Sequence, residues 1–311
     1  MINDLLILTA PTASGKTGIS IELSKRFPIE IISADSRQVY KLLDIGTAKA
    51  SQNELNQVKH YLIDIILPDE TYSAGKFEED ANIIINQIIK EKKIPLIVGG
   101  TGFYIKSLIY GLEDDKIEDK IKVQTREYLS NILESEGPEK IKELLKEKDI
   151  DAYNLYSGQN IRRLTRALEF HLVNGYSITK NNLNQVKRYN PKYFIISTDR
   201  EVLYNRINKR TIEMWENGLE NEVRNLLNLG YGLHNTSLDS VGYRECINYI
   251  NGNISKEIAI IETQKFTRHY AKRQITWQNN QISDSEKFLF NSSEIFYNLC
   301  IECENFLKYI S

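Results

Sequence analysis

An α/β fold is what this sequence predicts: a parallel sheet with flanking helices and an inserted helical domain. Three observations predict it. Short β-rich runs alternate with helical patterns. A glycine-containing loop joins the first run to the first helix. One long charged stretch carries no strand signal. The first run covers residues 5–9, and a helical pattern follows over 16–26. Further candidate strands lie at 30–33, 61–65, 95–98 and 193–197, with helices at 76–92 and 201–217. In the 76–92 helix, Phe77, Ala81, Ile84, Ile85 and Ile88 recur close to the helical period. Between Gly111 and Asn190 the runs "EDDKIEDKIK" and "ESEGPEKIKELLKEKD" are charged and helical. The expected division is therefore a discontinuous core of 1–112 and 191–282, a helical insertion at 113–190, and a C-terminal tail at 283–311.

Composition narrows the class. The chain has 311 residues, 41% apolar and 26% charged, with a net charge of −2. That is ordinary for a soluble globular protein of about two domains. Three cysteines argue against a disulfide framework and fit a reducing, cytoplasmic setting. Cys300 and Cys303 form a lone C-x-x-C with no second pair or nearby histidine to complete a zinc site. They read as small apolar residues on a helix. The N-terminus lacks a basic leader and cleavage site, and no apolar run reaches the roughly 18 residues of a membrane span.

The loop after the first strand is Ala10, Pro11, Thr12, Ala13, Ser14, Gly15, Lys16 and Thr17, "APTASGKT". It matches the phosphate-binding P-loop pattern in its strand-to-helix context, with Ala10 where the pattern has glycine. The fold class is accordingly P-loop NTPase-like. Gly15 lets the backbone approach an anion closely at a helix N-terminus. Lys16 adds a point charge, and the Thr17 hydroxyl can hold magnesium (Mg2+).

Strands of a parallel sheet end on one edge, where ligands bind. Asp35 ends the strand "EIIS", and Thr101 follows the glycines that end "IPLIV", so both should converge on the loop. Asp35 reads as a metal ligand or a general base, against a turn-capping carboxylate. Thr101 reads equally as a site residue or a turn former. Arg206 and Arg210 share one helical face, either an anion clamp or a solvated basic face.

The motifs "APTASGKT", "IISADSRQVYKLLDIGTAKA", "HYLIDI", "YSAGKFEEDA", "PLIVGGTGFYI", "RRLTRALEF", "RINKRTIEMWENGLENEV", "VGYRE" and "TRHYAKRQITW" occur in one order. Together they resemble the bacterial tRNA dimethylallyltransferases, also called tRNA isopentenyltransferases, over residues 5–278. The resemblance implies transfer of a dimethylallyl group from its diphosphate ester to N6 of the adenosine 3′ of the anticodon, with release of diphosphate and use of Mg2+. It implies that residues 10–17 and Arg210 hold the diphosphate and that Asp35 is the general base. Thr101 would orient the reacting amine. Asp149-Ile150 departs from an Asp-Pro common in the family, and an arginine common early in the insertion has no counterpart near 121–124. A C-terminal zinc finger, found in eukaryotic relatives, has no counterpart either.

RNA contact needs cations for phosphates and flat or amide side chains for bases. Lys272, Arg273 and Gln274 are assigned to it, while Phe266 and Trp277 on the same helix are assigned to the core. Gln159, Asn160, Ile161, Arg162 and Arg163 resemble an anticodon-loop contact segment; by charge alone, Arg162, Arg163 and Arg166 read equally as a solvated face. Ser36, Arg37 and Gln38 follow the expected base, and Gln38 could read an adenine edge. Gly242, Tyr243 and Arg244 resemble another RNA-facing loop, and the acidic run 113–119 should face away from RNA. The expected partners are dimethylallyl diphosphate and a tRNA anticodon stem-loop, with no membrane, for a monomer. An adenylate dimethylallyltransferase, a P-loop small-molecule kinase and a non-catalytic RNA-binding protein are the alternatives.

Overall fold

The computed structural model describes residues 4–111, 119–183 and 187–310. In chain order the elements are β1 (Asp4–Thr9), α1 (Lys16–Ser24), β2 (Ile29–Ala34), α2 (Gln52–Leu55), β3 (His60–Tyr61), α3 (Ala74–Lys90), β4 (Ile94–Gly99), α4 (Gly102–Tyr110), α5 (Asp119–Ser135), α6 (Pro138–Lys148), α7 (Ile150–Tyr156), α8 (Ile161–Asn174), β5 (Asn190–Ile196), α9 (Arg200–Glu216), α10 (Leu219–Asn228), α11 (Tyr243–Ile250), α12 (Lys256–Gln281), β6 (Lys287–Phe290) and α13 (Ser292–Ile310). The strands form one parallel sheet in the order β3-β2-β4-β1-β5-β6.

The central strands are apolar throughout because both sheet faces are covered. Leu5, Ile7, Ile32 and Ile97 face a core shared with α3, α4, α10 and α11, whereas Leu6, Leu8, Ile31 and Leu96 face one shared with α1 and α13. Register then builds the site. Thr9 pairs with Gly99, and Gly99 pairs with Ala34. Three strands therefore stop abreast and release their loops side by side. Gly99 is required there, because a Cβ would lie 2.2 Å from the Ala34 carbonyl oxygen.

Two departures from the sequence reading have physical causes. The strand expected at 61–65 is only His60–Tyr61, because Leu62 and Asp64 take left-handed φ of 61° and 56° and turn the chain out of the sheet. The expected tail at 283–311 is part of the core instead. β6 pairs with β5, and α13 buries Ile295, Leu299, Cys303 and Phe306 at helical spacing. Cys300 packs beside them, and the three cysteines are free thiols.

The chain divides into two compact units, Met1–Gly111 with Lys187–Ser311, and Leu112–Val186. The second is helical, with its own core of Leu129, Ile141, Leu145, Leu164 and Leu168. Residues 113–118 of the acidic run lie outside the described residues. Among the described residues, no helix is long and apolar enough to cross a membrane.

Candidate active site

The phosphate loop forms as its sequence requires. Gly15 takes a left-handed φ of 84° directly before α1, and Ala13 is also left-handed at φ 65°. A non-glycine residue held there costs about 1–3 kcal/mol, a strain that functional loops retain. Ala10 avoids positive φ, so it replaces glycine without penalty. Residues Thr12 to Thr17 line a cavity of about 470 Å³. Ala10 and Pro11 stand behind it, and their carbonyls accept hydrogen bonds from the Lys16 ammonium at 2.9 Å each. The buried Ser14 hydroxyl faces the cavity and has no hydrogen-bond partner among the described residues.

Arg206, Lys209 and Arg210 close the cavity from α9, whose N-terminus Asp199 caps through the Glu201 and Val202 N–H groups. The shared face of Arg206 and Arg210 therefore meets the loop. The Arg210 guanidinium donates to the Thr12 hydroxyl at 2.6 Å. With Lys16, four cations face two carboxylates, Asp35 and Glu213, so the cavity favours an anion. Burial pulls the Lys16 ammonium down to about 8; the Asp35 carboxylate opposes this and Arg210 adds to it. Burial also lowers the Arg210 guanidinium from its ordinary value.

The Lys16 shift has a signed consequence. Below about 8 the ammonium is charged in folded and unfolded chains alike, and the fold bears the cost of burying it. Between about 8 and the ordinary 10.5 the folded chain sheds its proton first, so this site's contribution to stability rises with pH across that window. A bound anion restores the charge. Sulfate, an anion that does not itself titrate here, should therefore bind with uptake of close to one proton at about pH 9 and almost none near pH 7. Calorimetry in buffers of different ionisation heat measures this, and equal uptake at both would contradict it.

A second cavity, about 440 Å³, adjoins the first; Thr12, Asp35, Thr47 and Arg210 line both. Asp35 follows β2, and its Oδ1 accepts from the Arg37 N–H at 2.9 Å and the Gln38 N–H at 3.4 Å. Turn capping and cavity lining therefore coexist in this one carboxylate. Thr101 lines neither cavity; its hydroxyl accepts from the Ser36 N–H at 3.0 Å and so fixes the residue after Asp35. Ser36, Arg37, Gly242, Arg244, Phe266, Tyr270 and Arg273 line the second cavity. Burial raises the Tyr270 phenol, and Asp35 adds to the shift, so it stays neutral.

Several residues expected to contact RNA are also held by protein partners. Gln38 lines the cationic cavity, and its amide donates to the Thr47 and Ala48 carbonyls at 3.4 Å each. The Tyr243 ring is buried, and its hydroxyl donates to Glu222 at 2.6 Å. Gln274 is buried because its amide is occupied by two loops of the sheet edge. Phe266, assigned to the core, lines the second cavity instead, whereas Trp277 packs on the core. Lys272 and Arg273 are exposed on α12. In the Leu112–Val186 unit, Gln159, Asn160, Arg162 and Arg163 are exposed at the start of α8, but Ile161 packs against that unit's core.

Sequence reasoning missed Glu222. Its carboxylate accepts from the Asp44, Ile45 and Gly46 N–H groups at 3.0, 2.7 and 3.2 Å, which holds the loop carrying Thr47. A lone glutamate in a helix repeat gives no signal for such a cage.

Among the described residues, no group of three or more His, Cys, Asp or Glu side chains forms a metal site. The donors present, the Thr17 hydroxyl and the carboxylates of Asp35 and Glu213, suit a magnesium ion ligated mainly by water and ligand phosphate.

The chain is similar to known proteins over most of its length. The model of the family described as IPP transferase matches residues 38–281. A Thermoanaerobacter protein named tRNA dimethylallyltransferase is 42% identical over 282 residues, 89% of each chain. Among solved structures, a tRNA delta(2)-isopentenylpyrophosphate transferase from Staphylococcus epidermidis has a TM-score of 0.70 and 36% identity, over 99% of both chains. A eukaryotic dimethylallyltransferase captured acting on tRNA has a TM-score of 0.79 and 26% identity, over 93% of this chain and 74% of that one. A cationic phosphate-loop cavity, a second cavity sharing Asp35 with it, and these likenesses across nearly the whole chain agree: the chain belongs to the IPP transferase family, that of the tRNA dimethylallyltransferases.

Proposed function

We propose that this enzyme transfers the dimethylallyl group of dimethylallyl diphosphate to N6 of the adenosine 3′ of a tRNA anticodon and releases diphosphate. One observation carries this reading: Asp35 stands in the wall common to the two cavities. The cationic cavity suits a diphosphate, and the second suits an everted base. Between them, a carboxylate can take a proton from an incoming amine.

The reaction balances with these groups. The C1–O bond of the allylic ester breaks, and its electron pair leaves on the diphosphate. The phosphate-loop N–H groups, Lys16 and Arg210 stabilise that charge where it develops. N6 of adenine forms the new bond to C1 and passes its proton to Asp35. Thr101 acts through Ser36, whose N–H it holds beside the base. The Thr17 hydroxyl would hold Mg2+, which when bound would supply further neutralisation of the departing diphosphate.

Exposed Lys272 and Arg273 on α12, with Arg162 and Arg163 on α8, are read as contacts to RNA phosphates. Lys272→Ala should weaken binding of an anticodon stem-loop and reduce the salt dependence of log K by about one unit. Fluorescence anisotropy across a salt series measures this; an unchanged slope would remove Lys272 from the interface. The enzyme is read as acting as a monomer, and tRNA as substrate fits a cytoplasmic setting.

Mass spectrometry of tRNA nucleosides after incubation with dimethylallyl diphosphate tests the proposal. The expected product is adenosine bearing one five-carbon unit on N6. Preference for AMP over the stem-loop would favour the nucleotide enzyme, and ADP formation from ATP would favour a kinase.

A further inference from the structure

Gln274 lies on α12 with 7% of its surface exposed. Its Oε1 accepts from the Thr12 N–H at 2.9 Å, and its Nε2 donates to the Gly100 carbonyl at 3.0 Å. One primary amide thus uses its acceptor on the diphosphate loop and a donor on the turn that carries Thr101. The fit is close: a Cβ on Gly100 would lie 2.1 Å from Nε2. One turn along α12, Gln278 donates to the Thr9 hydroxyl at 3.3 Å, and Trp277 covers Gly102 so tightly that a Cβ there would lie 2.2 Å from its ring. Gly100 and Gly102 flank Thr101, so the helix grips that residue's turn on both sides. Thr12, on the other arm of the bridge, also accepts from Arg210.

We propose that Gln274 is a positioning residue that holds the diphosphate loop and the Thr101 turn at a fixed separation. It thereby sets the distance between the leaving group and the amine bound beside Asp35. The inference rests on the transfer reading above. It also gives α12 two duties: Lys272 is exposed to solvent, Arg273 lines the second cavity, and Gln274, one residue further on, holds the loops that carry the chemistry. Few side chains can take the place of Gln274. Ionised glutamate has no donor for the Gly100 carbonyl, lysine or arginine has no acceptor for the Thr12 N–H, and asparagine carries the same amide on a stem one methylene shorter.

The test uses Gln274→Met, which keeps length and removes both bonds, Gly100→Ala, which displaces the amide from the other side, and their double variant. Stem-loop affinity and melting temperature should stay close to wild type in Gln274→Met. Its kcat should fall about 100-fold, the effect of a small misplacement of reacting groups. Amide hydrogen exchange at Thr12 should quicken even without substrate. Gly100→Ala should reproduce the kcat loss, and the double variant should be no more than about threefold worse than the worse single one, as for two changes at one contact. The inference is overturned if Gln274→Met keeps kcat within about threefold of wild type, if the two losses multiply, or if activity falls only in step with melting temperature. A wild-type enzyme that transferred no dimethylallyl group would instead defeat the reading of function, and the Thr12 exchange rates would still report on the bridge.

Discussion

Asp35→Asn lowers kcat about 100- to 10,000-fold and leaves stem-loop affinity almost unchanged, because it removes a proton acceptor without removing a contact. Asparagine keeps a carbonyl oxygen where Asp35 Oδ1 receives the Arg37 and Gln38 N–H groups, so the turn after β2 persists. What disappears is the site for the N6 proton. The exocyclic amine is a poor nucleophile because its lone pair is delocalised into the ring, so loss of base assistance falls on the chemical step. Single-turnover transfer with prebound tRNA measures that step directly. Transfer by Asp35→Asn within about tenfold of wild type would mean that another group or water receives the proton.

Arg210→Ala is expected to lower kcat/KM for dimethylallyl diphosphate about 100- to 1,000-fold, again with RNA binding intact. Arg210 lies in the wall shared by both cavities and donates to the Thr12 hydroxyl, so under the proposed transfer its charge would meet the departing diphosphate. Arg210→Lys should recover little. A single ammonium cannot hold Thr12 and a phosphate oxygen together in the planar fork of a guanidinium. Steady-state kinetics at fixed saturating tRNA separate the cases, and near-normal turnover by the lysine variant would show that charge alone suffices.

These two residues show how far sequence reaches. Asp35 was legible because a carboxylate at the end of a buried strand must arrive on the ligand-binding edge of a parallel sheet. Arg210 was only half legible. Its spacing from Arg206 gives a shared face but does not say what that face meets, and the meeting with Thr12 depends on how α9 packs. The bonds of Gln274 were not legible: proximity to Lys272 and Arg273 in sequence suggested a common fate, while consecutive helical residues differ by about 100° in direction. Tyr243 was only half legible: it lines the second cavity, as its motif suggests, yet its ring is buried and its hydroxyl donates to Glu222. The alternation of strands and helices was plain over most of the sheet. β6 was not, since its four residues, "KFLF", are too short to show a period, and α13 was obscured by interspersed polar residues. The cage around Glu222 consists of backbone donors, which no residue pattern records.

The position of β1 has a consequence for synthesis. It lies between β4 and β5, and β5 follows the whole Leu112–Val186 unit in the chain. On a ribosome adding about 5–20 residues each second, the nascent β1 edge would stay bare for roughly ten to forty seconds. The insertion can collapse on its own leucines in that interval, so it would be finished before the sheet that bears it. Until β5 arrives, the unpaired edge is where a chaperone would bind or an aggregate begin.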